Sequence, residues 1–134
     1  MKTNKKSILK KYYCDIYDVD IIIANKYVTA EQIKKSYTYY DGVIIEDNTL
    51  IDNPAVVCKV RDIKTGRYCI LIKFNRDSRD ETKEYLINTI SHEALHVALD
   101  IYELIQQEVY FNSPEPLCYL VGWVSECIYK TVMK

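Results

Sequence analysis

Apolar and polar positions along this chain change period from strand to helix as the sequence is read forward. Over residues 12–25, Ile16, Val19, Ile21, Ile22, Ile23 and Ala24 form a β-branched run that stops at Asn25-Lys26. Such a run predicts strand, in two short pieces broken near Asp18. Thr29-Ala30-Glu31-Gln32 is a capping-box pattern, so a short helix is expected from Ala30 to about Tyr37. Asp41-Gly42 ends that unit, and residues 47–54 read as a polar connection. Residues 56–62 and 67–74 then flank Ile63-Lys64-Thr65-Gly66, a hairpin with Gly66 in the left-handed turn position. Pairing Ile63 with Arg67 would set Val56, Cys58 and Val60 opposite Phe74, Ile72 and Ile70 on one apolar face. Val57, Lys59, Arg61, Cys69, Leu71 and Lys73 would share the half-solvated face, so Cys58 and Cys69 would point apart.

Residues 75–82 read as a charged loop, and from about Glu81 the period becomes helical. Ile87, Ile90, Ala94, Val97 or Ala98, Ile101 and Ile105 make one stripe. Residues 106–114 connect to a last helix, with Ser113-Pro114 as its start signal and Leu117, Leu120, Val121, Val124 and Ile128 as its core stripe. The expectation is one α+β domain over residues 1–134. Residues 1–75 would be strand-rich with one short helix, and residues 76–134 would form two helices folded back antiparallel on a small antiparallel or mixed sheet.

Composition narrows the class. A chain of 134 residues is long enough for a core without staples, and 49% hydrophobic with 28% charged residues is ordinary for a globular protein. A net charge of −1 gives no support to a nucleic-acid or membrane-surface role. Residues 2–11 hold five lysines, but no apolar stretch of signal-peptide type follows, and no run approaches a membrane span. A cytoplasmic protein is expected. The five cysteines lack any C-x-x-C pair, which argues against a disulfide framework or a four-thiolate zinc site and for buried free thiols.

The chemistry concentrates in Ser91-His92-Glu93-Ala94-Leu95-His96, which holds the only two histidines. A spacing of four on a helix puts both imidazoles on one face, within reach of one ion. Glu93 stands where H-E-x-x-H zinc peptidases carry the general base. Catalytic zinc takes three protein ligands and leaves a fourth position open, so a carboxylate must join the pair. Asp100 continues the i, i+4 series, but a straight helix carries it about 12 Å along the axis from His92, which suits a partner to an imidazole better than a ligand. Glu115 and Glu126 lie on the next helix, and antiparallel packing ranks Glu115 ahead of Glu126. Tyr119, one turn beyond Glu115, is a candidate oxyanion donor.

The segments Ser91-His92-Glu93-Ala94-Leu95-His96-Val97-Ala98 and Glu115-Pro116-Leu117-Cys118-Tyr119-Leu120-Val121-Gly122-Trp123 resemble a family of small phage and prophage proteins. That family is usually described as zinc peptidases of the glutamate-zincin type. The similarity extends to Val19-Asp20-Ile21, Thr38-Tyr39-Tyr40-Asp41-Gly42 and Asp62-Ile63-Lys64-Thr65-Gly66. It implies a zincin-like α+β fold in which a small sheet backs the motif helix, and it matches Glu115 to the family's third ligand. The expected function is a Zn²⁺-dependent hydrolase acting on a peptide or protein substrate, with His92, His96 and Glu115 as ligands, Glu93 as base and an edge strand pairing with extended substrate. The alternative is a zinc-stabilised binding module of phage origin that acts on a host or virion protein without hydrolysis. Glu93 separates the two, because a structural site has no use for a base. Oligomeric state is left open by the sequence.

Overall fold

A computed structural model of the chain describes residues 5–46 and 53–134. Its first hairpin joins β1 (Leu9–Cys14) to β2 (Val19–Ala24), with Cys14 opposite Val19. The turn closes on Asp18 at φ +53, a left-handed position that aspartate tolerates. The break expected near Asp18 is therefore a reversal of the chain. β1 also starts earlier than the apolar pattern suggested, inside the lysine-rich stretch. It is an edge strand with mostly exposed side chains, and lysines suit such an edge.

Helix α1 (Ala30–Lys34) carries the expected capping box. Thr29 Oγ1 accepts from the Gln32 amide at 3.2 Å, and the Thr29 amide donates to Gln32 Oε1 at 2.7 Å. It ends before Tyr37 because β3 (Tyr37–Tyr39) is drawn into the sheet beside β4 (Ala55–Asp62). The expected connection over residues 47–54 lies mostly outside the described residues. β5 (Tyr68–Phe74) completes a five-stranded sheet in the order β1-β2-β5-β4-β3, antiparallel except for the central β2–β5 pair. Both faces of those two strands are covered, which is why Ile21–Ala24 and Cys69–Ile72 read as unbroken apolar runs.

The β4–β5 hairpin forms, but one residue away from the expected register. The Asp62 amide donates to the Arg67 carbonyl at 2.9 Å, and Asp62 Oδ1 accepts from the amides of Lys64 and Thr65 at 2.8 and 3.0 Å. This side-chain turn makes Asp62 and Arg67 the closing residues and puts Arg61 opposite Tyr68. Because side chains alternate, one residue of slip exchanges the faces. Val57 and Ile72 thus pack toward the long helices, while Cys58, Val60, Cys69 and Leu71 pack on the opposite side. Cys58 and Cys69 share a face, contrary to the expectation that they point apart, and both are free thiols.

The two long helices are α2 (Lys83–Leu104) and α3 (Glu115–Val132), packed on each other and on one sheet face. Helix α2 lies over β4 and β5, and α3 over β2, with Tyr12 Oη 2.9 Å from Thr131 Oγ1 on that side. Ile21, Ile23, Ile70 and Ile72 meet Ala94, Val97, Ile101, Val124 and Ile128 in the main core. The start of the α2 stripe differs from expectation. Leu86 is buried, whereas Ile87 is 66% exposed. Ile22, Leu71 and Val60 form a second core with Ile33, Tyr37 and Ile45 on the other face. The α+β class holds, with a mixed sheet. Among the described residues no helix is long and apolar enough to cross a membrane.

Candidate metal centre

The start of α2 is set locally: Thr82 Oγ1 caps the Tyr85 amide at 3.1 Å. From that start, burial of Ile90, Ala94, Val97 and Ile101 fixes the rotation of the helix. His92 and His96 are then turned onto an exposed flank beside β4. Their Nε2 atoms lie 3.2 Å apart, with ring centroids at 4.8 Å and ring planes at 68°. Two nitrogens each about 2.0–2.1 Å from a tetrahedral zinc ion stand about 3.3–3.4 Å apart. The 3.2 Å separation is that of a hydrogen bond between the rings and is also close to the spacing of two ligands on such an ion.

The histidines open onto a cavity of about 480 Å³ between α2 and the start of β4. Its sheet wall is residues 53–57, and its helix wall adds Tyr85, Asn88 and Thr89 to His92, Glu93 and His96. The outer edge of β4 is covered by β3 only opposite Val60–Asp62, with one more bond from the Tyr40 amide to the Lys59 carbonyl. Beside the cavity, that edge has no strand partner among the described residues.

Glu93 is 8% exposed and faces the same cavity. Burial raises its carboxyl above the ordinary range, and positive charge on His92 or His96 opposes that rise. A carboxylate raised by desolvation, beside two imidazoles, is suited to take and return a proton. Asp100 is half-buried one turn beyond His96, and burial is also the main cause of its raised carboxyl. Lys59 pulls it back down, and the Lys59 ammonium itself meets Glu103.

The other residues singled out from the sequence lie elsewhere. Glu115 is exposed in the first turn of α3, and no α3 residue lines the histidine cavity. Helix α3 sits toward β2, whereas the histidines sit toward β4. The structure therefore does not bring Glu115 to the pair. Glu126, the other glutamate considered, is exposed and pairs with Lys130 at 3.0 Å. Tyr119 is 76% exposed and lines a different cavity, with Tyr13 and Trp123. Among the described residues, no group of three histidine, cysteine or acidic side chains is placed to hold one ion.

Sequence reasoning missed Tyr85, Asn88 and Thr89. Their signal was positional: they precede His92 by seven, four and three residues, the helical spacings that share its flank. Tyr85 is itself held at the far end of the helix wall, where its hydroxyl accepts from Arg76 Nη1 at 3.0 Å. Compared with family models, curated proteins and solved structures, the chain finds no match in any of the three.

Proposed function

We propose that this protein is a zinc-dependent hydrolase of peptide bonds, working in the cavity between α2 and β4. The observation that carries the reading is the Nε2 separation of 3.2 Å, with buried Glu93 on the same cavity. Bound zinc would supply Lewis acidity and make water a nucleophile near neutral pH. His92 and His96 would hold the ion, their turn-spaced helix positions setting both rings on one side. The carboxylate of Glu93 takes the proton from water and returns it to the leaving amine. The outer edge of β4, which has no strand partner beside the cavity among the described residues, offers main-chain hydrogen bonds to an extended peptide. Glu115 as third ligand, and a zincin-type fold, are what the sequence resemblance alone implies; no α3 residue lines the cavity, so the proposal rests on the histidine pair and Glu93.

Three measurements test this. Metal analysis of the purified chain should find close to one zinc per molecule, and no uptake even after zinc addition would remove every metal reading. Glu93→Gln should keep zinc and abolish cleavage of a peptide library that a chelator also abolishes. Cleavage that survives this substitution would falsify the mechanism, while zinc bound with no cleavage by the wild type would leave the binding-module reading. Glu115→Ala should leave zinc binding as Glu126→Ala does, since no α3 residue lines the cavity, and a selective loss in Glu115→Ala would make it a ligand.

A further inference from the structure

A second cleft, of about 510 Å³, lies between the β1–β2 turn and the outer face of α3. It shares no lining residue with the histidine cavity. β1 contributes Tyr13, the turn contributes Asp15, Ile16 and Tyr17, and α3 contributes Tyr119 and Trp123, four residues apart on one helix face. Ile16 is 81% exposed and Tyr119 76% exposed, so this aromatic surface is open to solvent.

The charge around these rings selects the occupant. The lining holds one carboxylate, Asp15, and neither lysine nor arginine. Elsewhere this protein repeatedly sets cations over its tyrosines: Lys59 stands 5.2 Å from the Tyr40 ring centroid, Arg61 5.9 Å from Tyr68 and Arg76 5.9 Å from Tyr85. Outside the lining, Arg67 stands 5.8 Å from the Tyr13 ring centroid, where it is paired with Asp18 and Asp20. Tyr119 and Trp123 carry no such cation among the described residues, while the Tyr17 ring meets Tyr102 edge-on at 5.8 Å. Four aromatic side chains, Tyr13, Tyr17, Tyr119 and Trp123, and the Asp15 carboxylate line the cleft beside Ile16, Pro116 and Leu120. That combination fits a positive charge clothed in hydrocarbon.

We propose that this cleft binds a small alkylammonium compound, with the cationic head against Tyr119 and Trp123 and Asp15 as its counter-charge. Trp123 is the only tryptophan in the chain, so its emission reports on the cleft directly. The full-length protein is titrated with choline and, separately, with 3,3-dimethylbutan-1-ol, which has the same shape without the charge. Choline should change the emission saturably with Kd on the order of 1 mM, and the neutral alcohol should bind at least about tenfold more weakly. Asp15→Asn and Tyr119→Leu, both at exposed positions, should each weaken choline about three- to tenfold without moving the thermal midpoint. The proposal is overturned by equal affinity for the neutral alcohol, or by no saturable response to choline up to about 20 mM. Unchanged choline affinity in both variants would overturn it as well. So would a wild-type dimer in sedimentation that Tyr119→Lys dissociates, because the cleft would then be a contact between copies of this chain.

Discussion

If His92 and His96 share an ion, zinc must stabilise the fold through both rings together, and removing either ring must abolish the effect. The substitutions are His92→Ala and His96→Ala. Both side chains are exposed, so without metal each should leave stability within about 0.5 kcal/mol of wild type. A ligand that binds only the folded state stabilises it by about 2.7 kcal/mol at a hundred times its Kd. Unfolding entropy of roughly 2.1 cal/mol/K per residue gives a chain of 134 residues about 0.28 kcal/mol/K. Zinc at that ratio should therefore raise the wild-type midpoint by about 10 °C. The assay is thermal unfolding by circular dichroism, titrated with zinc and reversed by chelator. The five cysteines also attract zinc once the chain unfolds, but wild type and variants carry the same five, so the difference between them cancels that contribution. The increment should shrink at acid pH, because a metal takes only the neutral imidazole. An equal zinc shift in wild type and in both alanine variants would refute the shared site, whatever its size.

Other predictions concern the fold. Asp77 accepts from Arg79 and from the Tyr27 hydroxyl, and the Arg79 bond above all holds its carboxyl down to about 2, from 3.8. A depressed carboxylate contributes stability that is complete above the unfolded value and is lost as pH falls toward the folded one. Asp77→Asn should therefore cost roughly 2 kcal/mol at pH 7, with the gap closing between about pH 4 and pH 2 in denaturant titrations. Gly66 has φ +73, and an added Cβ would come no closer than 3.6 Å to Arg61, so only the backbone resists substitution. Gly66→Ala should cost about 1–2 kcal/mol, and an unchanged denaturation midpoint would count against the turn geometry. Ile101 is fully buried in the core where α2 meets α3 and the sheet. Ile101→Ala should lose about 2–5 kcal/mol from removed methyl and methylene groups and the cavity left behind, read as a lower urea midpoint with unchanged slope.

Much of the fold was legible because its rules are local. Thr29 and Gln32 cap α1 over three residues, Gly66 marks the hairpin turn, and one helical period places His92 over His96. The boundary features that failed were decided by partners distant in the chain. β1 begins in a lysine-rich stretch because β2 pairs with it, and α1 stops early because β4 recruits Tyr37–Tyr39. The hairpin register turned on the Asp62 carboxylate satisfying two amides, a choice that the apolar alternation on either side did not contain.

The candidate site divides along the same line. The sequence by itself determined the turn-spaced histidines and the glutamate beside them, since a helix needs only its own period to put them there. Tertiary structure alone decided which flank of α2 would face β4 and that the Glu93 carboxyl would be buried. It also decided that α3 would pack toward β2, leaving Glu115 and Tyr119 away from the histidines. The physical reason is range. Spacing along one helix follows from backbone geometry within four residues, whereas the side on which the next helix docks depends on how the whole sheet buries its two apolar faces.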